Sequence, residues 1–170
     1  MTAPRFHITP LSAKHARISF SCGHERIDRY FRETVTQDVK RRYASCYVAV
    51  ENETERVAGF HTLTANSIPL DDVPHDLRKK LPPYPTVPVA LIGWLGRHVD
   101  FKGCHLGEAL LFDAIRLIAT SKLPSHAIIV DAIDDAAIEF YRGYGFTSLA
   151  AERPNRMYLP VATALRLFEI

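Results

Sequence analysis

Gly103 and Gly107 stand four apart in the stretch "FKGCHLGEALL", residues 101–111, directly ahead of a run of helix-forming residues. A glycine-bearing turn that opens a helix suits phosphate, because unpaired backbone N–H groups and the positive end of the helix dipole converge on one place. His105 stands between the two glycines, where many such loops have no side chain. Further along, "FYRGYGF" carries Tyr141 on a short helix that Gly143 and Gly145 stop. A phenol, with a reference pKa of about 10, is protonated at neutral pH and can give a proton to an anionic leaving group. Tyr141 also reads as a core aromatic beside Phe140, since aromatics at helical spacing usually pack. Two dense cationic runs, Lys40-Arg41-Arg42 and Arg78-Lys79-Lys80, fit either nucleic-acid phosphates or an ordinary solvated helix face.

Other chemistries lack their residues. A P-loop needs Lys and Ser or Thr after its last glycine, but Glu108 and Ala109 follow Gly107, and no G-x-G-x-x-G run is present. The three cysteines form no C-x-x-C pair and the eight histidines no metal-binding spacing, so no metal is expected. Cys104 has no His or Asp partner implied by spacing and reads as filler rather than nucleophile. Asp131 and Asp134 read as a strand-end residue and a helix cap before they read as a general base.

The chain has 170 residues, 47% hydrophobic and 24% charged, which suits one soluble domain over residues 1–170. A formal charge of +2 does not by itself announce a nucleic-acid partner. No apolar run nears the roughly 20 residues of a membrane span, and the start has no apolar signal core, so a cytoplasmic protein is expected.

The elements that must position these residues follow from pattern. "FHITPL" reads as a first strand. A helix is expected over 21–42, preceded by Ser21 or Cys22 and striped by Ile27, Tyr30, Phe31, Val35 and Val39. "YASCYVAVE" and "RVAGFHTLTA" suggest a hairpin. Residues 67–88 hold six of the eleven prolines and read as a long connection with one helical turn at "DLRKKL". "VPVALIGWLG" looks like a strand buried on both faces, followed by the glycine loop and a helix lined by Leu106, Leu110, Ala114, Leu117 and Ile118. "HAIIVDAI" is another buried strand, "DDAAIEFYRGYGF" a helix capped by Asp134 or Asp135, and "RMYL" a last strand.

Between strand and helix, the glycine loop resembles the pyrophosphate loop of acetyl-CoA-dependent N-acetyltransferases, whose pattern is [QR]-x-x-G-x-[GA]. "FYRGYGF" resembles the helix-and-turn signature of the GNAT superfamily, in which a tyrosine lies near the thioester sulfur. In order, "FSCGHERIDRYF", "SCYVAV", "VAGFHTLTANSIPLDD", "LRKKLPPYPTVPVALIG", "VDAIDDAAIEFYRGYGF" and "NRMYLP" resemble a bacterial GNAT subgroup that includes the acetyltransferase toxins of toxin–antitoxin pairs. The resemblance covers about residues 6 to 165. It departs from the subgroup at the cofactor loop: Lys102 replaces Gln or Arg, His105 the central glycine, Trp94 an arginine, and Gly96-Arg97 an Ala-Val pair.

That resemblance implies an α/β (α+β) fold: a mixed, largely antiparallel sheet, splayed at the fourth and fifth strands, with flanking helices. It implies acetyl-CoA as cosubstrate, held by Leu95, Gly96, Arg97, Lys102, Gly103, Cys104, His105, Leu106, Gly107 and Glu108, with Tyr141 as catalytic acid. It further implies a toxin-like enzyme acetylating the α-amine of aminoacyl-tRNA, with the two cationic runs as tRNA contacts. A homodimer and a ribbon-helix-helix antitoxin are the implied protein partners. The alternatives are a GNAT acetylating another amine, in a protein or small molecule, and a catalytically weakened GNAT domain acting as a CoA-binding or partner module.

Overall fold

In chain order the residues form β1 (Phe6–Pro10), α1 (Glu25–Arg29), a π turn (Tyr30–Thr34), α2 (Val35–Lys40), β2 (Ser45–Glu51) and β3 (Val57–Pro69). A 3-10 turn (Leu70–Asp72), α3 (His75–Arg78), β4 (Thr86–Arg97), a second 3-10 turn (Val99–Phe101) and α4 (Leu106–Ala119) follow. β5 (Ala127–Asp131), α5 (Asp135–Gly143), β6 (Thr147–Ala150), β7 (Arg153–Pro160) and α6 (Val161–Leu167) complete the chain. This computed structural model describes residues 2–170. The strands hydrogen-bond in the order β1-β2-β3-β4-β5-β7-β6. Most described registers are antiparallel, and β4–β5 is parallel. The expected mixed, largely antiparallel sheet is therefore present. By its contacts the chain divides into two units, Met1–Thr64 with Gly93–Ala114, and Ala65–Ile92 with Ile115–Ile170.

In the first unit, β1 and β3 flank β2. Its core is aromatic: Phe31 stacks on Phe60 at 4.0 Å, and Phe20 sets its edge against both, at 4.8 and 5.6 Å. Such pairs add roughly 0.5–1.5 kcal/mol each beyond the area they bury. Of the expected apolar stripe, Ile27, Tyr30, Phe31 and Val35 are buried, and Val39 is half-buried against them. The helix itself is not as expected over 21–42. It starts at Glu25 with His24 as N-cap, because Gly23 sits at φ +93° and the Asp28 carboxylate accepts the Cys22 N–H at 2.8 Å, which holds Ser21 and Cys22 outside. It is also interrupted. At the π turn Val35 N–H reaches back five residues to the Tyr30 carbonyl, so Tyr30 and Val35 share the buried face. Such a turn leaves carbonyls without helical donors. Arg17 supplies them, donating to Phe31 O and Arg32 O and also to Thr36 Oγ1.

In the second unit β5 is buried at four of its five positions, pairing in parallel with β4 and antiparallel with β7. Ile68, Val73, Val87, Val89, Ala127, Ile129 and Tyr158 form its core. The proline-rich connection is shorter than residues 67–88, since β3 runs to Pro69 and β4 begins at Thr86. Its helical turn is His75–Arg78, launched by Pro74, whose fixed φ favours a helix start. Nor is β4 buried on both faces: Thr86 and Pro88 are exposed while Val87 and Val89 are buried. β6 and α6 were not anticipated. β6 pairs with β7 as the sheet's last strand, and α6 starts immediately after Pro160.

Candidate active site

The glycine loop is built on two buried anchors, Phe101 and Leu106, each 2% exposed. Between them the backbone turns sharply, with Gly103 at φ +83° and His105 at φ +57°. Gly103 is needed for conformation rather than space, since a Cβ there would meet nothing within 4 Å. His105 takes the same left-handed region with a side chain attached, a conformation that glycine adopts without strain. Its ring points outward, 88% exposed, with Nδ1 4.0 Å from Glu108. The His105 carbonyl accepts Ala109 N–H at 3.1 Å, the first bond of α4. The N–H groups of Leu106 and Gly107 therefore have no carbonyl behind them within the helix, as at any α-helical start. Lys102 is exposed beside them. A helix start, a left-handed turn and a cation next in sequence are the features that fit a pyrophosphate.

Two arginines outside the loop brace it, and sequence reasoning missed both. Arg5 bonds Glu51 at 2.6 Å and the Cys104 sulfur at 3.2 Å, and lies over the Phe101 ring. Arg56 pairs with Asp100 at 2.6 Å, also over Phe101. The Thr54 hydroxyl and then Arg5 hold the Glu51 carboxyl below its usual range, while Arg56 does the same for Asp100. His98, 7% exposed, accepts Asp100 N–H at 3.1 Å and so caps the turn that leads into the loop. No local spacing signals the contacts of Arg5 and Arg56, because they join positions 44 to 99 residues apart.

At the end of β4, the register with β5 closes at Ile92↔Val130, and the strand runs on from Gly93 to Arg97 without a described β5 partner. This agrees with the expected splay. Leu95 packs with Phe101, Leu106 and Leu110. Gly96 is tightly held, since a Cβ would come within 3.1 Å of both Ile27 and Phe60. Trp94, in place of an arginine, stacks on Tyr30 at 4.3 Å and 8°, with Arg26 over its ring.

Tyr141 sits on α5, 9% exposed, with its ring edge-on to Phe140 and Phe146. Burial pushes its phenol up to about 12. The helix is fixed at both ends. Asp134 is the N-cap, its carboxylate accepting Ala137 N–H at 2.8 Å. At the other end Gly145 turns at φ +97°, and Tyr144 and Phe146 N–H both bond the Tyr141 carbonyl. The two nearby carboxylates are committed elsewhere. Asp134 caps, and Asp131 holds Arg156 through both oxygens at 2.8 Å.

The cationic runs differ. Lys40, Arg41 and Arg42 are exposed at the end of α2, with no ion pair among the described residues. Lys79 and Lys80 are exposed as well, but Arg78 is half-buried and paired with Asp71 at 3.4 Å. The second run therefore offers two free cations rather than three. Among the described residues no His, Cys, Asp or Glu group has a metal-binding arrangement, and no helix is long and apolar enough to cross a membrane.

No protein-family model matches the chain. It is 33% identical over 130 residues, 75% of this chain and 76% of that protein, to the tRNA-acetylating toxin of Mycobacterium tuberculosis. It is 29% identical over 166 residues, 92% of this chain and 91% of that protein, to "Probable toxin TacT" of Sinorhizobium fredii. Among solved structures, a tyrosine-to-phenylalanine variant of KacT matches with a TM-score of 0.90 at 22% identity, over 97% of this chain and 100% of that one. AtaT complexed with acetyl-methionyl-tRNAfMet matches at 0.87 and 22%, over 96% and 99%. AtaTR bound with acetyl-CoA matches at 0.84 and 24%, over 96% and 98%. At these identities the structures establish the fold. The sequence match to the mycobacterial protein goes further, and on it the chain belongs to the GNAT-type family of tRNA-acetylating toxins.

Proposed function

We propose that this chain transfers the acetyl group of acetyl-CoA to the α-amine of an aminoacyl-tRNA, blocking that tRNA's use in translation. The observation that carries the proposal is the 33% identity to a tRNA-acetylating toxin over three quarters of both chains. The open start of α4 supports it independently, because its geometry suits the anionic half of CoA. The catalytic domain of this reading is the whole chain, residues 1–170, acting in the cytoplasm where charged tRNA is found.

In this reading, the N–H groups of Leu106, Gly107 and Glu108, with the backbone of Gly103, Cys104 and His105, hold the pyrophosphate, and Lys102 adds charge. The backbone of Leu95, Gly96 and Arg97 holds the pantetheine arm and donates to the thioester oxygen as negative charge develops there. Removing one such donor typically costs about 3 kcal/mol of barrier lowering. The neutral amine attacks the thioester carbon, the C–S bond breaks, and the nitrogen's surplus proton leaves to water. Tyr141 hydrogen-bonds the sulfur as it departs and supplies the proton it needs. With its phenol at about 12, Tyr141 remains protonated across the working pH range, and water restores the proton it gives. Asp131 and Asp134 are occupied by Arg156 and the α5 cap, so no carboxylate is assigned as base. An aminoacyl ester's amine needs less help than a lysine, being less basic and partly neutral already.

Lys40, Arg41, Arg42, Lys79 and Lys80 are assigned to tRNA phosphates, with Arg78 held back by Asp71. A homodimer and an antitoxin partner belong to the same reading. The antitoxin finds support in the structure of AtaT, which shares this fold, bound to the C-terminus of the antitoxin AtaR. The deciding experiment incubates the purified chain with acetyl-CoA and a charged tRNA pool, then identifies the amino acids released from the tRNA by mass spectrometry. N-acetylated amino acids are expected. Their absence, with acetyl-CoA still bound, would refute the acceptor while leaving the fold intact.

A further inference from the structure

We propose that Tyr43 is a stacking platform for an unpaired nucleotide of the tRNA, set beside the Lys40–Arg42 cations that hold the phosphates. The inference rests on the acceptor reading above and adds to it a contact with a base. Tyr43 is 72% exposed, although aromatic rings usually supply core area. None of the ring contacts among the described residues involves it. Its backbone is held firmly all the same: Tyr43 N–H bonds the Asp38 carbonyl at 2.8 Å, and Arg42 N–H bonds Val39 O at 3.1 Å. Arg42, at φ +62°, closes the end of α2 in a left-handed turn directly ahead of Tyr43. Three unpaired cations and one unpartnered ring thus leave the molecule within four consecutive residues.

That combination fits single-stranded RNA. Cations track the backbone, while a flat ring accepts the face of any base, because every base has a π-face. A membrane surface would also attract the cations, but it offers no flat partner for a tyrosine held on a fixed turn. Paired A-form RNA offers no free base face either, so the contact must fall on a loop, a bulge or the single-stranded end of the tRNA.

The test measures binding of tRNA, and of a blunt fully paired RNA duplex, to the parent chain and three variants across a range of salt. Tyr43→Ala should weaken tRNA binding about tenfold, with an unchanged salt slope and unchanged affinity for the duplex. Tyr43→Phe should bind tRNA like the parent, since the ring and not the hydroxyl makes the contact. Lys40→Ala/Arg41→Ala/Arg42→Ala should instead lower the salt slope for both RNAs. Parental tRNA affinity in Tyr43→Ala, or an equal loss on the duplex, overturns the platform while the acetyl-transfer reading stands. If the parent chain neither binds nor acetylates charged tRNA, both fall together. Acetyl-CoA affinity, measured alongside, should match the parent in every variant and reports that each is folded.

Discussion

Helices α4 and α5 follow the two strands of the parallel pair, β4 and β5, and each begins with a row of N–H groups lacking helical partners. The chain treats the two starts oppositely. At α5 the Asp134 carboxylate closes the first turn from within, and Tyr141 rides on a helix whose far end Gly145 also pins. At α4 the N-cap is His105, whose ring turns 88% outward from a left-handed backbone. A helix that carries a reacting side chain must hold still, whereas one that receives an anion must keep its first turn open. In the acetyl-transfer reading, the same local physics serves orientation in one place and binding in the other.

The sharpest way to separate the two roles is Tyr141→Phe. It keeps the ring against Phe140 and Phe146 and deletes the proposed proton donor. Turnover should fall about a hundredfold or more, while acetyl-CoA affinity and melting temperature barely change. A folded variant with parental turnover would reduce Tyr141 to a packing residue. The parent's rate should also show no falling limb from phenol ionisation as pH rises, until the neighbourhood of about 12, because the neutral phenol is the active form and burial raises its pKa.

Asp134→Ala tests the closed start. Losing the cap should cost about 1 kcal/mol of stability, seen in denaturant unfolding, and should lower turnover through a less fixed Tyr141. Acetyl-CoA affinity should hold. A drop in affinity with no loss of stability would mean that the carboxylate serves the ligand and not the helix.

His105→Gly tests the open start and should have the smallest effect. Glycine accepts φ +57° without strain, so the variant should be more stable by up to about 1 kcal/mol and bind acetyl-CoA a few-fold more tightly. Weaker binding at pH 6 than in the parent, by calorimetry, would show instead that the imidazole contributes a cation. Unchanged affinity at both pH 6 and pH 8 would place the side chain outside the site.

Features set by near neighbours were readable from the chain. The Asp134 cap, the glycine stop after Tyr141, the hairpin of β2 and β3 and the apolar stripe from Ile27 to Val35 each depend on residues a few positions apart. Distant partners were not. Arg5 and Arg56 reach the glycine loop from positions just ahead of β1 and β3, far away in sequence, and Asp131 meets Arg156 only because β5 and β7 pair in that register. The pairing of Arg78 with Asp71 spans Pro74 and a 3-10 turn, so no helical spacing announces it. β6 escaped because its four residues bury little and take their form from β7. α6 escaped because it follows Pro160, which reads as the end of a strand more readily than as the threshold of a helix.

The π turn at Tyr30–Thr34 separates the length of this helical arm from its rotational phase. An α-helix advances about 100° per residue, so winding these same residues as uninterrupted α-helix would swing everything beyond them by that angle. Lys40 to Tyr43 would face another direction. A turn holding one residue too many absorbs that angle. Removing the exposed Glu33 should consequently straighten the arm, leave its tip aimed as before and change the melting temperature little. Removing one residue from the middle of α4 has no such slack to draw on: Leu110 and Ala114 would rotate off their face, and the chain should fail to fold.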